Sequence, residues 1–429
     1  MKRRNFLASL GVTAIGMPFL KSAMAQQLIS FSAMGRVVVV GGGMAGTTAA
    51  KFLRLWGGTG VDVTLVEPNS IYYSSIFSNM VLTGERSLSQ LAYNYNALSS
   101  KYGVKVQNFS VTNIDPVAKM VTLSSGTKLP YDRLILAPGI DFEPLTWSGG
   151  TQLQKDKIVH AWKAGVQTTS LKEQISSMTS KDTFIITIPP VPYRCPPGPY
   201  ERACVVADYL KRIKGGGKVI ILDANAGIQA EKDNFNVAFN VTHKGIITYV
   251  PNARLTSIDA GSMTVLTSAG SFKGKVINAI PIHKAGNLIN EANIGLNNAG
   301  GGKWAGVNVL SYESTNPSLA GIHIIGDSSF TTQPKAGHLA NAEAKICADA
   351  IIQVLKGGPI NQTPITNSAC YTPITKTTAS WLSAVYRYDS GSKTMIPTGS
   401  GVTESNGANS HNHEDMLKWF NNLMSDTFS

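Results

Sequence analysis

Three glycines near the start of the sequence have the spacing G-x-G-x-x-G, which lets a backbone loop approach a pyrophosphate closely. They are Gly41, Gly43 and Gly46. An apolar, β-branched run over residues 36–40 precedes them and predicts a buried parallel strand, and a helical stretch follows to about residue 56. The loop and the start of this helix predict a phosphate-binding turn, in which Met44 and Ala45 also contact the nucleotide.

An acidic residue completes this unit. Residues 61–66 predict the next strand, and Glu67 follows it directly, 21 residues after Gly46. A carboxylate at this position can accept hydrogen bonds from a ribose hydroxyl. Because strand, helix, strand and acid occur in this order, the sequence predicts a nucleotide-binding βαβ unit.

Two distant segments specify the nucleotide as FAD. One apolar strand runs into Ala137-Pro138-Gly139, which lets the chain cross close to the nucleotide. Another strand ends at Asp327, whose carboxylate can bond the ribityl chain of a flavin, and a helical stretch over 336–355 can point its N-terminus at a flavin carbonyl. The remaining FAD contacts are expected from Val111, Pro138, Gly139, Gly326, Asp327, Lys335 and Gly337.

The order of these elements resembles that of flavoproteins with two dinucleotide-binding domains, the disulfide-reductase-like fold. It predicts an α/β protein with two Rossmann-like domains and a smaller C-terminal α+β domain. Within the C-terminal domain, residues 388–413 predict a loose loop and 416–424 a helix. The expected domains are 35–145 with 275–355 for FAD, 146–274 for the second Rossmann-like unit, and 356–429 for the C-terminal domain.

A second βαβ unit has an unusual connection. Residues 184–188 and 218–222 predict strands and 200–213 a helix, but the joining loop 189–199 is rich in proline rather than glycine. Prolines lack the N–H groups that bind a pyrophosphate, so this loop predicts the loss of an NAD(P)H site. A merely rigid loop would not explain why Cys195 lies among these prolines, and Cys195 is therefore a candidate functional residue.

The cysteines are few, and their pairing is open. The sequence has four of them, which allow three complete disulfide pairings, and counting alone cannot choose among these. Disulfides persist in exported proteins. The four are Cys195, Cys204, Cys347 and Cys370.

The N-terminus predicts export. Arg3 and Arg4 precede an apolar run over residues 10–20, and small residues at 23–25 suit a signal peptidase. The arginine pair is typical of a twin-arginine signal over residues 1–25, which predicts a periplasmic protein; an ordinary secretory signal is the alternative. No other stretch is long and apolar enough for a membrane span.

The charge balance is basic. The net charge is +12, which suits an anionic substrate, an acidic protein partner or simple solubility. No run of lysine and arginine with interleaved aromatics occurs, so nucleic acid is not an expected partner, and no metal site is expected either.

Four segments resemble the flavoprotein subunit of flavocytochrome c sulfide dehydrogenase, a family of the FAD-dependent pyridine nucleotide-disulfide oxidoreductases. They are YRCPPGPYER at 193–202, HAWKAG at 160–165, NSACY at 367–371 and WFNN at 419–422. The resemblance extends from about residue 35 to the C-terminus.

The resemblance implies roles for four of these residues. Cys195 and Cys370 would form a redox-active disulfide over the flavin, Glu201 would accept a proton, and Trp419 would lie near the active site. For Glu201 the alternative is a surface glutamate favoured by the helix dipole, and for Trp419 it is core packing. Cys204 and Cys347 match no family motif and are expected to be buried free thiols.

One residue departs from the family pattern. Better-known members carry, at the position of Ser75, a cysteine that is covalently attached to the flavin. A serine hydroxyl is far too weak a nucleophile to replace it. The sequence therefore predicts non-covalent FAD.

The resulting expectation is a sulfide dehydrogenase. Hydrosulfide would attack the disulfide and form a persulfide, and Lys335 with the N-terminus of helix 336–355 would stabilise negative charge on reduced flavin. Electrons would leave singly to a c-type cytochrome on a separate chain, because this sequence has no C-x-x-C-H. The alternatives are a sulfide:quinone oxidoreductase and a non-catalytic flavoprotein that binds a cytochrome or a sulfur carrier.

Overall fold

The computed structural model describes residues 33–399 and 401–429, so the predicted export segment lies outside the described residues. The first sheet is built around Gly35–Val40, which pairs in parallel with Val61–Val66 and Arg133–Leu136. The last four residues of Gly35–Val40 are buried, as a β-branched strand covered on both faces requires. The eight strands are, in spatial order, Ser329–Phe330, Ala305–Asn308, Glu313–Ser314, Ile322–Ile324, Arg133–Leu136, Gly35–Val40, Val61–Val66 and Lys105–Gln107.

Two long helices, Met44–Gly57 and Gly337–Leu355, pack against each other beside this sheet. Leu53 and Ile351, both fully buried, share one hydrophobic cluster with Val39 of the central strand. Both helices begin just after strands of the sheet. Their N-termini therefore lie at the carboxyl edge of the sheet, where open α/β sheets bind ligands.

The second sheet has four parallel strands. The structure adds Val276–Ala279 to it, beside Thr183–Ile188, which corrects the predicted return to the FAD domain at residue 275. All four residues of Val276–Ala279 are buried, as is typical of a strand in a parallel sheet that is covered on both faces. The order is Ile247–Val250, Lys218–Asp223, Thr183–Ile188 and Val276–Ala279.

The helix Gly198–Lys214 starts directly after Pro196-Pro197 and follows the loop that carries Cys195. Its predicted range, 200–213, is slightly short at both ends. Gly215 ends the helix with a φ of 72°, the left-handed conformation that glycine adopts most readily.

The C-terminal domain consists of an antiparallel sheet packed against a helix. Ile365–Pro373 and Ala379–Asp389 form an antiparallel pair, called here the C-terminal hairpin, and the last helix is Ser410–Phe428. The prediction of a loose loop over 388–413 is wrong: Thr394–Pro397 and Thr403–Glu404 both pair with the hairpin. The buried side chain of Met395 anchors this polar segment to the core.

The last helix is fixed to the first domain at its end. The Phe428 ring stacks between Tyr72 and Tyr93, with centroids 5.1 Å and 5.0 Å away. The Lys51 ammonium donates hydrogen bonds to carbonyls at the end of the helix, including that of Asp426 at 2.8 Å. This docking places Trp419 beside the candidate site.

The remaining elements are short. The other α-helices of the described residues are Ser78–Leu82, Asn96–Tyr102, Gln152–Lys155, Val166–Ser176, Lys232–Val237 and Asn287–Glu291. The small sheets comprise Val111–Asp115 with Met120–Leu123 and Lys128–Pro130; Trp147–Gly149 with Leu255–Asp259, Thr264–Thr267 and Gly270–Lys273; Ile71–Tyr73 with Ala92–Asn94; and Ile140–Phe142 with His283–Ala285. Among the described residues, no helix has the length and apolar character needed to cross a membrane.

Candidate active site

A cavity of about 520 Å³ opens at the carboxyl edge of the first sheet and extends to the C-terminal hairpin. Ser75 and Trp419 line it, together with most of the residues that the sequence predicted. Those predicted residues are Gly41, Gly43, Met44, Ala45, Glu67, Pro138, Gly139, Cys195, Glu201, Gly326, Asp327, Gly337 and Cys370.

The nucleotide end of the cavity depends on close backbone approach. Gly41 has a φ of 105°, and a β-carbon there would overlap the carbonyl of Ala137. The Glu67 carboxylate accepts a hydrogen bond from the Gly42 N–H at 2.8 Å. The helix that begins at Met44 has no side-chain cap, so its first N–H groups can bind a phosphate.

A buried acid, Glu343, stabilises the Gly326-Asp327 turn through a backbone hydrogen bond. The Gly326 N–H donates to the Glu343 carboxylate at 2.8 Å, and burial raises the pKa of Glu343 to about 8. The Asp327 carboxylate faces the cavity and accepts no hydrogen bond from the described residues, and burial raises its pKa. An acceptor without a partner at this position fits the hydroxyl groups of a ribityl chain. The residues present therefore fit FAD.

Three predicted contacts do not line the cavity. At Gly46 a β-carbon would overlap the carbonyl oxygen of Gly41, so this glycine permits close packing of helix and strand rather than contact with the nucleotide. Val111 lies in the small three-stranded sheet and packs on the main core.

Lys335 is the third. Its ammonium donates to the carbonyls of Asp327 and Ser329, at 2.9 Å and 2.7 Å, and lies 3.8 Å from the centroid of the Trp304 ring. The expected stabilisation of reduced flavin by the Lys335 side chain is thus not supported. Ala336 and Gly337, at the start of the following helix, do line the cavity.

Cys195 lies at the start of the Gly198–Lys214 helix in a left-handed backbone conformation, with a φ of 60°. Its N–H donates to the Lys335 carbonyl at 2.8 Å, and its own carbonyl accepts from the Gly198 N–H at 2.9 Å. A β-carbon at Gly198 would lie 2.9 Å from the Cys195 sulfur, so only glycine leaves room for the sulfur here. Burial, and then the charge of Glu201, raise the pKa of Cys195 to about 12.

Cys370 approaches from the C-terminal hairpin. The neighbouring Ala369 N–H donates to the His338 ring at 3.0 Å, which fixes the strand at this point. Burial, and then the charge of Cys195, raise the pKa of Cys370 well above its usual value. The structure brings Cys195 and Cys370 to one cavity as free thiols, and the disulfide between them stays a prediction.

Glu201 is buried, not a surface residue. It is 8% exposed, and its carboxylate accepts a hydrogen bond from the Asn79 side chain at 2.8 Å. Burial raises the pKa of Glu201 to about 8. Asn79 also accepts a hydrogen bond from the Arg202 guanidinium at 2.8 Å, so the amide joins the acid to a buried cation.

Arg194 contributes positive charge to the cavity. Its guanidinium donates to the Ser75 hydroxyl at 3.3 Å and to the Trp162 carbonyl. Its backbone N–H donates to the His283 ring at 2.9 Å. Ser75, where the family pattern has the flavin-linking cysteine, therefore lies at the cavity wall beside a cation.

The second Rossmann-like unit is filled from within. Asp223, at the end of its strand, is fully buried and accepts hydrogen bonds from the hydroxyls of Tyr200 and Tyr249 at 2.6 Å and 2.9 Å. The Asn225 backbone N–H adds a third bond at 2.9 Å. The carboxylate that could accept hydrogen bonds from a ribose is thus bonded to the protein's own side chains and backbone. Like the proline-rich loop, this arrangement is unfavourable for binding NAD(P)H.

Sequence reasoning missed Asn79, Arg194 and Glu343. Arg194 precedes Cys195 in the proline-rich loop, and this adjacency was a usable signal. Asn79 and Glu343 are far from their partners in the chain and carry no local motif, so only the folded structure identifies them.

Fold and cavity together define a flavoprotein of the disulfide-reductase-like class. The pyridine nucleotide-disulphide oxidoreductase family matches residues 35–174. The family described as sulfide dehydrogenase (flavocytochrome c) flavoprotein chain, central, matches residues 168–281, and flavocytochrome c sulphide dehydrogenase, flavin-binding, matches 362–428.

Individual relatives agree with these matches. A sulfide dehydrogenase (flavocytochrome c) flavoprotein chain from Chlorobaculum thiosulfatiphilum is 50% identical over 46 residues, which are 11% of this chain and 94% of that sequence. The chain belongs to the family of flavocytochrome c sulfide dehydrogenase flavoprotein chains.

Other likenesses are more distant. A sulfide-quinone reductase from Aquifex aeolicus is 31% identical over 104 residues, 24% of each chain. The crystal structure of the sulfide:quinone oxidoreductase from that bacterium shares the fold, with a TM-score of 0.75, 18% identity and 92% of each chain covered. The matches to this chain span between 24% and 30% of the length of the first curated relatives.

Proposed function

We propose that this protein is an FAD-dependent sulfide dehydrogenase that oxidises hydrosulfide through Cys195 and Cys370 and passes the electrons to a c-type cytochrome. The observation that carries the proposal is the meeting of both cysteines and Glu201 in one cavity with the FAD-binding loops. Two cysteines from different domains beside a buried acid are the groups that oxidation of a sulfur substrate through a disulfide requires.

The first chemical step is a thiol-disulfide exchange. In the oxidised pair, hydrosulfide forms a new S–S bond with one cysteine sulfur, the Cys195–Cys370 bond breaks, and the other cysteine leaves with the electron pair. The substrate sulfur is oxidised and the disulfide is reduced. Arg194 and Lys163, which line the cavity, attract the anionic substrate.

Glu201 handles the proton of this step. Because its pKa is about 8, the carboxyl group is mostly protonated at neutral pH and can give its proton to the departing cysteine sulfur. Proton donation matters here, since burial strongly disfavours a free thiolate at either cysteine. The ionised Glu201 can then take a proton from the bound S–H group.

FAD, when bound, supplies a two-electron acceptor that can release electrons one at a time. The chain's own residues hold it through the Gly41 turn, Glu67 and Asp327. With Ser75 at the cavity wall, we propose that FAD is bound without a covalent link. Acid precipitation should release all of the flavin as FAD, and flavin retained in the pellet would contradict this.

The nature of the electron acceptor is tested by mixing. Purified protein reduced anaerobically with sulfide should lose its yellow colour and regain it on addition of oxidised cytochrome c. A water-soluble quinone should reoxidise it much more slowly. The reverse order would favour a sulfide:quinone oxidoreductase, the alternative to which the shared fold points. Absence of bleaching by sulfide would favour a non-catalytic flavoprotein.

We also propose that the protein acts in the periplasm after twin-arginine export. The arginine pair at positions 3 and 4 supports this. Replacing both with lysine should leave the precursor in the cytoplasm, as measured by cell fractionation, and unchanged export would contradict the proposal.

A further inference from the structure

Glu231 is a second buried carboxyl group close to Cys195 and Cys370, which together are called here the sulfur site. The mechanism above does not use it. It is 5% exposed and stands in a left-handed backbone conformation, with a φ of 52°, just before the helix Lys232–Val237. One carboxylate oxygen accepts a hydrogen bond from the Thr372 hydroxyl and the other from the Ser380 hydroxyl.

These two hydroxyls belong to opposite strands of the C-terminal hairpin. Thr372 and Ser380 are register partners in the antiparallel pair, and both are fully buried. One carboxylate from the second Rossmann-like domain therefore ties both strands together. Thr372 lies two residues from Cys370 and shares its face of the strand, so Glu231 fixes the strand that presents the Cys370 sulfur.

The surroundings of Glu231 contain acids and thiols but no paired cation. Among the described residues, no lysine, arginine or histidine forms an ion pair with it. The titratable groups of the neighbouring elements that interact with it are Glu201 and Cys204 on the helix Gly198–Lys214, Cys370 on the hairpin, and Glu404 on the strand Thr403–Glu404. Burial raises the pKa of Glu231 to about 7.

We propose that Glu231 is a positioning residue of the sulfur site: it holds the strand that carries Cys370, and its charge, when present, opposes a thiolate on the Cys370 sulfur. A neutral Glu231 then favours the departure of Cys370 during attack by hydrosulfide, and an ionised one disfavours it. This inference rests on the proposed function, in which the cysteine pair is the site of attack.

The test measures the reactivity of the Cys370 thiol rather than turnover. The reduced, FAD-loaded protein and its Glu231→Gln variant are treated with iodoacetamide at pH 6 and pH 9, and alkylation of each cysteine is followed by peptide mass spectrometry. At pH 6 Glu231 is mostly neutral, so both proteins should react at the same rate at Cys370.

At pH 9 the variant should react faster. A fall of one unit in the thiol pKa gives about tenfold more thiolate, and its lower nucleophilicity reduces this to about a threefold rate increase. A rate ratio that is the same at both pH values would overturn the proposal, because a purely structural role changes access to Cys370 without a dependence on pH. The sulfide-bleaching test of the proposed function is independent of this result.

Matched controls separate the effect from general loss of structure. Glu173→Gln removes an exposed carboxylate on the helix Val166–Ser176, away from Glu231 and the hairpin, and it should leave the ratio unchanged. Cys347, whose surroundings include Glu313 and Glu343 rather than Glu231, is the internal reference. If Cys347 becomes reactive in Glu231→Gln, the variant has lost structure, and Ser380→Ala is used instead of Glu231→Gln. Loss of one donor should move the ionisation of Glu231, and the break in the pH profile of Cys370 alkylation, to higher pH; an unmoved break would overturn the proposal.

Discussion

Replacing Glu201 with glutamine should stabilise the protein relative to the wild type, and this advantage should grow as the pH rises. The folded protein raises the pKa of Glu201 from 4.5 to about 8, because burial disfavours the charged form. Above pH 4.5 the unfolded chain releases the proton and the folded protein retains it, so the wild type loses stability as pH rises from 4.5 to about 8. Glutamine cannot ionise and keeps an oxygen that can accept the Asn79 hydrogen bond.

The magnitude follows from the size of the shift. At pH 7, which is about 2.5 units above the unfolded pKa, the wild type has lost roughly 3 kcal/mol of unfolding free energy relative to the variant. Above pH 8 this loss approaches roughly 5 kcal/mol. The assay is the free energy of unfolding in urea at pH 4.5, 7 and 8.5 for the wild type and Glu201→Gln. The exposed Glu173→Gln on the helix Val166–Ser176 is the control and should show no such trend.

The variant and the wild type should differ least at pH 4.5 and most at pH 8.5, with the variant gaining at each step. A difference that stays constant over this range, or that favours the wild type at high pH, would show that Glu201 is ionised in the folded protein. The proton-donating role assigned to it would then fail.

Two further predictions concern the cofactor and the lost nucleotide site. Ser75→Cys, whose side chain lines the cavity, should yield flavin that stays with the acid-precipitated protein, whereas Ser74→Cys, fully buried outside the cavity wall, should not; equal retention in both would contradict the assignment of position 75. NADH and NADPH should bleach the flavin negligibly under anaerobic mixing, because Tyr200 and Tyr249 occupy the hydrogen-bonding positions of Asp223; rapid bleaching by either would refute this account of the second Rossmann-like unit.

The parts of the structure that the sequence predicted well are those encoded locally. The strand, glycine turn, helix and Glu67 lie within about thirty consecutive residues, so hydrophobic period and turn chemistry suffice to place them. The prediction of a loose loop over 388–413 fails because a buried apolar side chain, Met395, packs this polar segment into a hydrophobic cluster. The Gly/Ser/Asn-rich composition of the segment, on which the prediction rests, does not reveal a single buried apolar residue.

Long-range contacts were not accessible in the same way. Lys335 precedes a helix that lines the cavity, yet two carbonyls and the Trp304 ring take up its ammonium group. Glu231 contacts the C-terminal hairpin across more than a hundred residues, without any motif to mark it. Cys195 and Cys370 are 175 residues apart, and only the resemblance to a family suggested that they meet.

Sulfide-dependent bleaching of the cysteine variants tests the central claim most directly. In anaerobic single-turnover mixing, folded and yellow Cys195→Ser and Cys370→Ser proteins should be reduced by sulfide orders of magnitude more slowly than the wild type. Cys204→Ser, with its sulfur buried in the same helix as Glu201, should bleach at the wild-type rate. If Cys370→Ser bleached as fast as the wild type, the cysteine pair would not be the route from sulfide to the flavin, and the proposed function would lose its mechanism.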